Sequence, residues 1–224
     1  MILAASDLHL QPGEFPVFVH DFDAVVRFYK ADVVFPGDIY DFLPIGMDSW
    51  RTLEGRETVR RFEALFAGAV FLEGNHTPLR WMKEMFSDKA FLAKSCEADG
   101  VHFEHGDRLA PDWRFLRRIA PPLVDFLSDH IPVEWRWLYQ RLGWTPGKLK
   151  DVYGETSEYT SLVEMIHHPY ALDAIKHKRT NIIGHTHLSA LREYGDKVVL
   201  ADCGNLAEGT YVQIDGQSIT TEKL

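Results

Sequence analysis

The sequence contains few cysteines, no excess of basic residues and no long apolar run. Its two cysteines, Cys96 and Cys203, are far apart and lack metal-site spacing, which favours a reduced protein over a disulfide-stabilised one. A net charge of −9 disfavours a general nucleic-acid binder, because such proteins usually carry a basic surface. The apolar residues 1–5 are followed by Ser6 and Asp7 too early for a signal peptide or a membrane span. We therefore expect a cytoplasmic protein.

In its overall composition, the chain is an ordinary globular protein. Of the 224 residues, 46% are hydrophobic and 25% are charged, as is usual for soluble domains. The chain is long enough to bury one sizeable core, and we find no internal repeat that would divide it. The sequence therefore predicts a single domain over residues 1–224.

Short apolar runs alternate with amphipathic stretches in the first third of the chain. Residues 2–5, 33–35 and 69–72 are typical of buried strands, whereas 16–30 and 51–67 have helical spacing. Strands that alternate with helices indicate an α/β fold. In such sheets, ligands collect at the carboxyl ends of the strands.

The C-terminal third predicts one helix and several further strands. Residues 155–177 have helical character, and we expect His167 and His168 on this helix to face solvent or a lid rather than a metal. Residues 190–219 contain short strands separated by turns, among them the strong hairpin signal Asp215-Gly216. We expect these strands to form an antiparallel meander that completes a second sheet.

Metal-capable side chains directly follow five of the apolar runs. Gly184 frees the chain to turn, so that the imidazoles of His185 and His187 can face one point. Taken alone, a His-x-His pair is equally typical of two surface histidines, and Asp7 with His9 taken alone favours a helix cap beside a surface histidine. Five such strand ends are hard to ascribe to chance. The candidate residues are Asp7, His9, Asp38, Asp41, Asn75, His76, His105, His185 and His187.

In order and in residue type, these segments resemble the five motifs of the calcineurin-like metallophosphoesterases. The segments are Asp7-x-His9, Gly37-Asp38-x-x-Asp41, Gly74-Asn75-His76, His105-Gly106-Asp107 and Gly184-His185-x-His187. The resemblance implies a four-layer double β-sheet sandwich flanked by helices, with a two-metal centre. It implies that one ion is held by Asp7, His9, Asp38 and His187. It implies that the other is held by Asp38, Asn75, His105 and His185.

The same resemblance implies catalytic roles for His76 and Asp41. His76 would face the phosphate and stabilise its charge or protonate the leaving group, and Asp41 would orient His76. The alternatives are that His76 is a structural histidine and that Asp41 caps the segment after it. Two positions depart from the family. Thr77 stands where many relatives carry an acid, and Phe42 stands where protein serine/threonine phosphatases carry an arginine, which disfavours a protein phosphatase.

The ligand set is chemically suited to phosphoryl transfer. Two divalent ions about 3.5–4 Å apart can clamp the attacking and leaving oxygens and lower the pKa of a bridging water. A carboxylate such as that of Asp38 is a natural bridge, since its two oxygens carry several lone pairs. Mixed nitrogen and oxygen ligands suit Mn, Fe or Zn better than Ca or Mg, and we expect Mn. The absence of thiolates disfavours a structural zinc site.

An apolar and basic segment lies between the fourth and fifth motifs. Residues 108–150 hold four of the six tryptophans and carry a local net charge of +4. We interpret residues 108–178 as a helical cap insertion, which packs on itself, covers an amphiphilic anionic substrate, or contacts an anionic membrane surface through residues 113–144. The insertion makes the chain similar to the UDP-2,3-diacylglucosamine diphosphatases, although His76 and Thr77 stand where well-studied members carry arginine and aspartate.

Three functions follow as hypotheses. The first is a phosphoester or pyrophosphate hydrolase that uses a two-metal-activated water, on a nucleotide-sugar lipid such as UDP-2,3-diacylglucosamine or on another small molecule. The second is a phosphodiesterase or phosphomonoesterase that acts on small molecules or phosphoproteins. The third is a catalytically silent scaffold of the same fold. The intact ligand set and His76 count against the third, and no specific nucleic-acid partner is expected.

Overall fold

The computed structural model describes residues 1–107, 157–195 and 197–224, which form two β-sheets and their flanking helices. The strands in chain order are β1 (Ile2–Ala4), β2 (Asp32–Phe35), β3 (Val70–Leu72), β4 (Phe91–Ala93), β5 (Ser95–Ala98), β6 (Val101–Glu104), β7 (Thr180–Ile183), β8 (Ala190–Tyr194), β9 (Lys197–Asp202), β10 (Thr210–Asp215) and β11 (Ser218–Lys223). The helices are α1 (Val17–Tyr29), α2 (Phe42–Ile45), α3 (Met47–Trp50), α4 (Leu53–Leu65), α5 (Leu79–Met85) and α6 (Ser157–His177).

The first sheet has six strands in the order β11-β10-β1-β2-β3-β4. Strands β1 to β4 are parallel, whereas β10 pairs antiparallel with β1 and with β11. Helices α1 and α4 connect the first three strands, as the alternating pattern of the sequence predicts. The carboxyl ends of β1, β2 and β3 consequently meet at one edge of the sheet.

The second sheet has five strands in the order β5-β6-β7-β9-β8. Strands β6, β7 and β9 are parallel, and the antiparallel strands β5 and β8 form its edges. The expected meander over residues 190–219 is therefore wrong in part. Only β8 and β9 join this sheet, and β10 pairs with β1 of the first sheet, with Ile2 opposite Ile214. The reason is that Val212 and Ile214 bury their side chains between the two sheets.

Successive side chains of β1 point to opposite faces of the first sheet, and this shows how the layers are packed. Leu3 points into an aromatic core that the first sheet shares with α1 and α4, whereas Ile2 and Ala4 point into the core between the sheets. On the far side, α6 packs on the second sheet through Ile166 and Tyr170. The order of layers is helix, sheet, sheet, helix. The predicted α/β class, a double-sheet sandwich flanked by helices, is confirmed.

The remaining differences concern small elements and the proposed cap. Helix α5 and strands β4 and β5 were not predicted, because they are short and β4 and β5 are partly exposed. Most of the proposed cap, residues 108–156, lies outside the described residues, as does the 113–144 segment proposed for membrane contact. No helix in the described part of the chain is both long and apolar enough to cross a membrane.

Candidate metal centre

The sandwich brings all seven predicted ligands to one edge, where strands of both sheets end. Residues after β1, β2 and β3 approach from the first sheet, and residues after β6 and β7 approach from the second. Their side chains form two sets of atoms close enough to share an ion, one of Asp7, His9 and His187 and the other of Asp38, His105 and His185. A third such group, His9, Asp38 and His76, links the two sets through His9 and Asp38. Asn75 contacts the second set.

In the first set, two imidazole nitrogens and a carboxylate oxygen converge. Nε2 of His9 lies 3.2 Å from Nε2 of His187, and Nε2 of His187 lies 3.2 Å from Oδ1 of Asp7. Oδ2 of Asp7 accepts hydrogen bonds from Oγ of Ser6 at 2.6 Å and from the backbone N–H of His185 at 2.8 Å. Oδ1 is buried, and within the described residues it accepts no well-aligned hydrogen bond. An orphaned buried oxygen that faces two ring nitrogens fits a cation.

In the second set, three oxygen or nitrogen atoms able to bind a metal lie around one nitrogen of His105. Nε2 of His105 lies 3.0 Å from Oδ2 of Asp38, 3.0 Å from Oδ1 of Asn75 and 3.2 Å from Nδ1 of His185. The other ring nitrogen, Nδ1, donates to the carbonyl oxygen of Pro36 at 2.9 Å. A backbone partner at one nitrogen is the usual way in which a protein directs the other nitrogen of a histidine towards a metal.

The electrostatics of the site favour a positive charge at its centre. Burial lowers the pKa of His105, but the carboxylate of Asp38 outweighs it and raises that pKa to about 10. Burial and the neighbouring His105 lower the pKa of His185 to about 3, which leaves this imidazole neutral. Burial raises the pKa of Asp7, but nearby histidines, His187 first, hold it well below its usual range. Without a metal, a proton on His105 offsets part of the charge of these carboxylates.

Asp41 connects the first set to His76. Its Oδ1 accepts from Nδ1 of His9 at 2.7 Å and from Nδ1 of His76 at 2.8 Å. Burial raises the pKa of Asp41, but these two hydrogen bonds outweigh it and lower the pKa. Since an ionised carboxylate only accepts, both Nδ1 atoms carry protons and donate to Asp41. Asp41 makes no side-chain capping bond to the helix that follows it, so the capping alternative has no support in the structure.

Backbone strain is concentrated on the candidate ligands. Five of them have left-handed backbone conformations, with φ of 55° at Asp7, 49° at His9, 48° at Asp38, 77° at His185 and 58° at His187. Residues other than glycine adopt this region infrequently, and each such conformation costs about 1–3 kcal/mol. The chain turns sharply at each strand end, which is what aims neighbouring side chains at one point.

Two glycines are required because other residues approach their α-carbons closely. A β-carbon at Gly74 would lie 2.1 Å from Oδ1 of Asp38, and one at Gly184 would lie 2.2 Å from Oγ of Ser6. Neither position has room for a side chain. The motif glycines therefore let the loops of the site pack against one another.

Thr77 stands where many phosphoesterases carry an acid, and the structure shows what it does. Its Oγ1 donates to the carbonyl oxygen of Tyr40 at 2.7 Å and accepts from the N–H of Tyr40 at 3.2 Å. This pair ties the loop that carries Asn75 and His76 to the loop that carries Asp41. Phe42, the other departure, is fully buried. It packs against the rings of Tyr40 and Trp50.

The expectation for His167 is wrong. This residue is fully buried, whereas its neighbour His168 is exposed. Nε2 of His167 lies 2.9 Å from Oδ2 of Asp202, a residue that the sequence did not single out. The helix sequence around His167 does not indicate this partner, because Asp202 lies on a strand that follows later in the chain.

Comparisons with known proteins give weak structural similarities. The chain matches no family model and no curated protein. It is similar to the phosphoesterase YfcE from E. coli, with 14% identity, a TM-score of 0.49 and coverage of 99% of this chain and 98% of that one. It is also similar to Vps29 from Cryptosporidium parvum, with 11% identity, a TM-score of 0.44 and coverage of 100% and 96%. A Streptococcus pneumoniae protein described as a predicted phosphoesterase has 13% identity, a TM-score of 0.43 and coverage of 99% and 88%. Similarities this low assign neither a family nor an activity to the chain.

Proposed function

We propose that the chain is a metal-dependent phosphohydrolase with a dinuclear centre, which cleaves phosphoester or pyrophosphate bonds. The observation that carries the proposal is the convergence of seven oxygen- and nitrogen-bearing side chains on one strand edge. Nε2 of His187 lies 3.2 Å from Nε2 of His9, and Nε2 of His105 lies 3.0 Å from Oδ2 of Asp38. The orphaned Oδ1 of Asp7 lies beside the first pair. The calcineurin-like motifs of the sequence support the same reaction class.

The residues present fit two divalent ions. Asp7, His9 and His187 would hold one, Asn75, His105 and His185 would hold the other, and Asp38 would contribute to both. Ions held there supply Lewis-acid stabilisation of phosphoryl oxygens and a hydroxide nucleophile near neutral pH. The mixed ligand set favours Mn, with Fe and Zn as alternatives.

In this proposal, His76 acts on the substrate. Asp41 holds its Nδ1–H, so that the imidazole presents Nε2, and its side chain is 13% exposed, which leaves this edge accessible. An imidazolium oriented in this way stabilises negative charge on phosphoryl oxygens or gives its proton to the leaving oxygen. The carboxylate of Asp41 stabilises the positive charge that this role requires.

The substrate is a further step of the proposal. A nucleotide-sugar lipid such as UDP-2,3-diacylglucosamine is supported by the apolar and basic composition of residues 108–150 and by the similarity in sequence motifs. A small phosphodiester or phosphomonoester is the alternative, and it accords with His76 after Asn75. In both cases the protein would act in the cytoplasm, and the lipid substrate would bring it to the inner face of the membrane.

The test is hydrolysis of bis(p-nitrophenyl) phosphate by chelator-treated protein that is resupplied with Mn²⁺. We expect turnover that depends on metal and is lost in Asp38→Asn and His76→Asn. His20→Asn alters an exposed histidine that is not one of the candidate ligands, and it should behave as wild type. Hydrolysis of UDP-linked lipids is tested next. Stoichiometric metal binding without turnover on any of these esters would contradict the hydrolase and favour the scaffold.

A further inference from the structure

A buried hydrogen-bonded network lies directly behind the 185–187 loop. Oγ1 of Thr186 donates to Oδ2 of Asp202 at 2.6 Å, and Nε2 of His167 lies 2.9 Å from the same oxygen. Oδ1 of Asp202 accepts from the backbone N–H of Gly204 at 2.9 Å. Asp202, His167 and Thr186 are all fully buried, and none of them belongs to the candidate ligand set.

The proton positions in this network follow from the partners. Nη2 of Arg192 lies 3.4 Å from Nδ1 of His167, and a guanidinium can only donate. Nδ1 of His167 therefore accepts, and Nε2 carries the proton that His167 donates to Asp202. The carboxylate of Asp202 thus receives hydrogen bonds from a hydroxyl, an imidazole and a backbone amide, which come from three different parts of the chain.

The loop that this network contacts is strained. His185 and His187 both have left-handed backbones, and Thr186 lies between them. Strained conformations of this kind persist only where the surroundings fix them. Thr186 provides such a constraint twice, since its hydroxyl donates to Asp202 and also accepts from the N–H of Leu188 at 3.2 Å.

Asp202 is itself fixed relative to the loop by strand pairing. It ends β9 and lies opposite Ile183, the last residue of β7, in the parallel register. The N–H of Cys203 donates to the carbonyl oxygen of Ile183 at 2.8 Å. The distance between the carboxylate and the start of the loop is therefore set by the sheet, and His167 adds a connection from α6.

We propose that Asp202, with Thr186 and His167, is a positioning network that holds the imidazoles of His185 and His187 in place for their two ions. A buried carboxylate and imidazole are poor sources of stability, because desolvation offsets most of what their pairing contributes. Their placement behind the loop explains why polar groups occupy this position. The proposal rests on the proposed function for the identity of the ligands, although the ordering of the loop can be measured without metal.

The variant that tests the network is Thr186→Val, which removes the hydroxyl and keeps the shape. Thr186→Ser restores the hydroxyl and is the rescue variant. Thr180→Val is the matched control, because Thr180 lies at the opposite end of β7 and its hydroxyl also donates a hydrogen bond, at 2.7 Å, to the carbonyl oxygen of Val198. Cobalt binding is followed through the visible spectrum, which reports ligand geometry. The ring signals of His185 and His187 are followed by NMR in the metal-free protein.

We expect Thr186→Val to weaken Co²⁺ binding by about 10–100-fold, the usual effect of losing a group that orients metal ligands. We also expect it to change the cobalt spectrum and to shift or broaden both ring signals. Thr186→Ser should restore these properties, and Thr180→Val should leave them unchanged. A Thr186→Val protein with wild-type affinity, spectrum and ring signals would overturn the proposal.

A second pair of variants guards against a failure of Thr186→Val to fold. His167→Leu removes one donor to Asp202, whereas His167→Gln can still offer an N–H near the position of Nε2. We expect His167→Leu to weaken cobalt binding and His167→Gln to restore most of it, and equal affinities in both would contradict the network. If the wild-type protein binds no cobalt, the proposed function fails, and the metal-free ring signals still decide whether the network orders the loop.

Discussion

Nε2 of His9 and Nε2 of His187 face one another across 3.2 Å. The orphaned Oδ1 of Asp7 lies beside them, so all three atoms are close enough to coordinate one ion. We expect the protein to bind two Mn²⁺ per chain and His187→Ala to bind one, measured by metal analysis after gel filtration. His20→Ala, at an exposed histidine, should retain both ions. Two tightly bound ions in His187→Ala would remove this residue from the ligand set.

Metal binding should release a proton from His105. The pKa of His105 in the metal-free protein is about 10, because the carboxylate of Asp38 overcomes the effect of burial. A metal can bind Nε2 only after this proton leaves, so below that pKa the affinity should rise about tenfold per pH unit. Calorimetry at about pH 8, in buffers of different ionisation enthalpy, should show at least one proton released. Burial lowers the pKa of His9, but its hydrogen bonds to Asp41 and Asp7 outweigh this and hold that pKa well above its usual range, so His9 is the source of a second proton. An affinity independent of pH would show that His105 is not a ligand.

His76→Asn should separate turnover from metal binding. His76 hydrogen-bonds Asp41 through Nδ1, and its removal takes away a proton donor but none of the seven predicted ligands. We expect kcat on bis(p-nitrophenyl) phosphate to fall by about 10²–10⁴-fold, with Mn²⁺ stoichiometry unchanged. Unchanged kcat would assign His76 a structural role.

Asp41→Asn should lower both turnover and metal affinity, since one oxygen of Asp41 accepts hydrogen bonds from two histidines. That oxygen holds Nδ1 of His76 and also Nδ1 of His9. We expect turnover to fall as in His76→Asn and Mn²⁺ affinity to fall by about 10–100-fold, because His9 loses its orienting partner. Asp48→Asn is the control, since its side chain is 96% exposed. Loss of turnover with wild-type metal affinity would show that Asp41 acts on His76 alone.

Gly74→Ala should displace Asp38 rather than unfold the protein. The added β-carbon would lie 2.1 Å from Oδ1 and 2.5 Å from the backbone nitrogen of Asp38, so the loop that carries Asp38 must move away. We expect loss of at least one Mn²⁺ and of turnover, with a cooperative thermal transition retained. Gly216→Ala provides the comparison, because Gly216 lies in an exposed turn with open space around it but has a φ of 61°. Its melting temperature should fall slightly while metal binding is preserved.

The strand ends made much of the site predictable. Asp7, Asp38, Asn75 and His105 each come soon after an apolar run, and parallel strands bring such positions to a common edge whatever the details of packing. The exchange of hydrogen bonds between Thr77 and Tyr40 was not predictable, since it joins two loops whose separation depends on the whole fold.

Other features were missed for a different physical reason. The hairpin of residues 210–223 would show the same alternation of polar and apolar residues whichever sheet it joined. Only the burial of Val212 and Ile214 between the sheets decides that it pairs with β1. His167 likewise has no local signature, because its role depends on Asp202, 35 residues later in the chain. The periodicity of a sequence does not show which distant residues will pair in the fold.

The candidate site lies on the seam between the two sheets. Asp7 and Asp38 follow strands of one sheet, while His105, His185 and His187 follow strands of the other. An ion held by both groups would therefore connect the two sheets at one end of the sandwich. Sliding of one sheet over the other would separate the ligands, so we expect metal affinity to depend on the alignment of the two sheets.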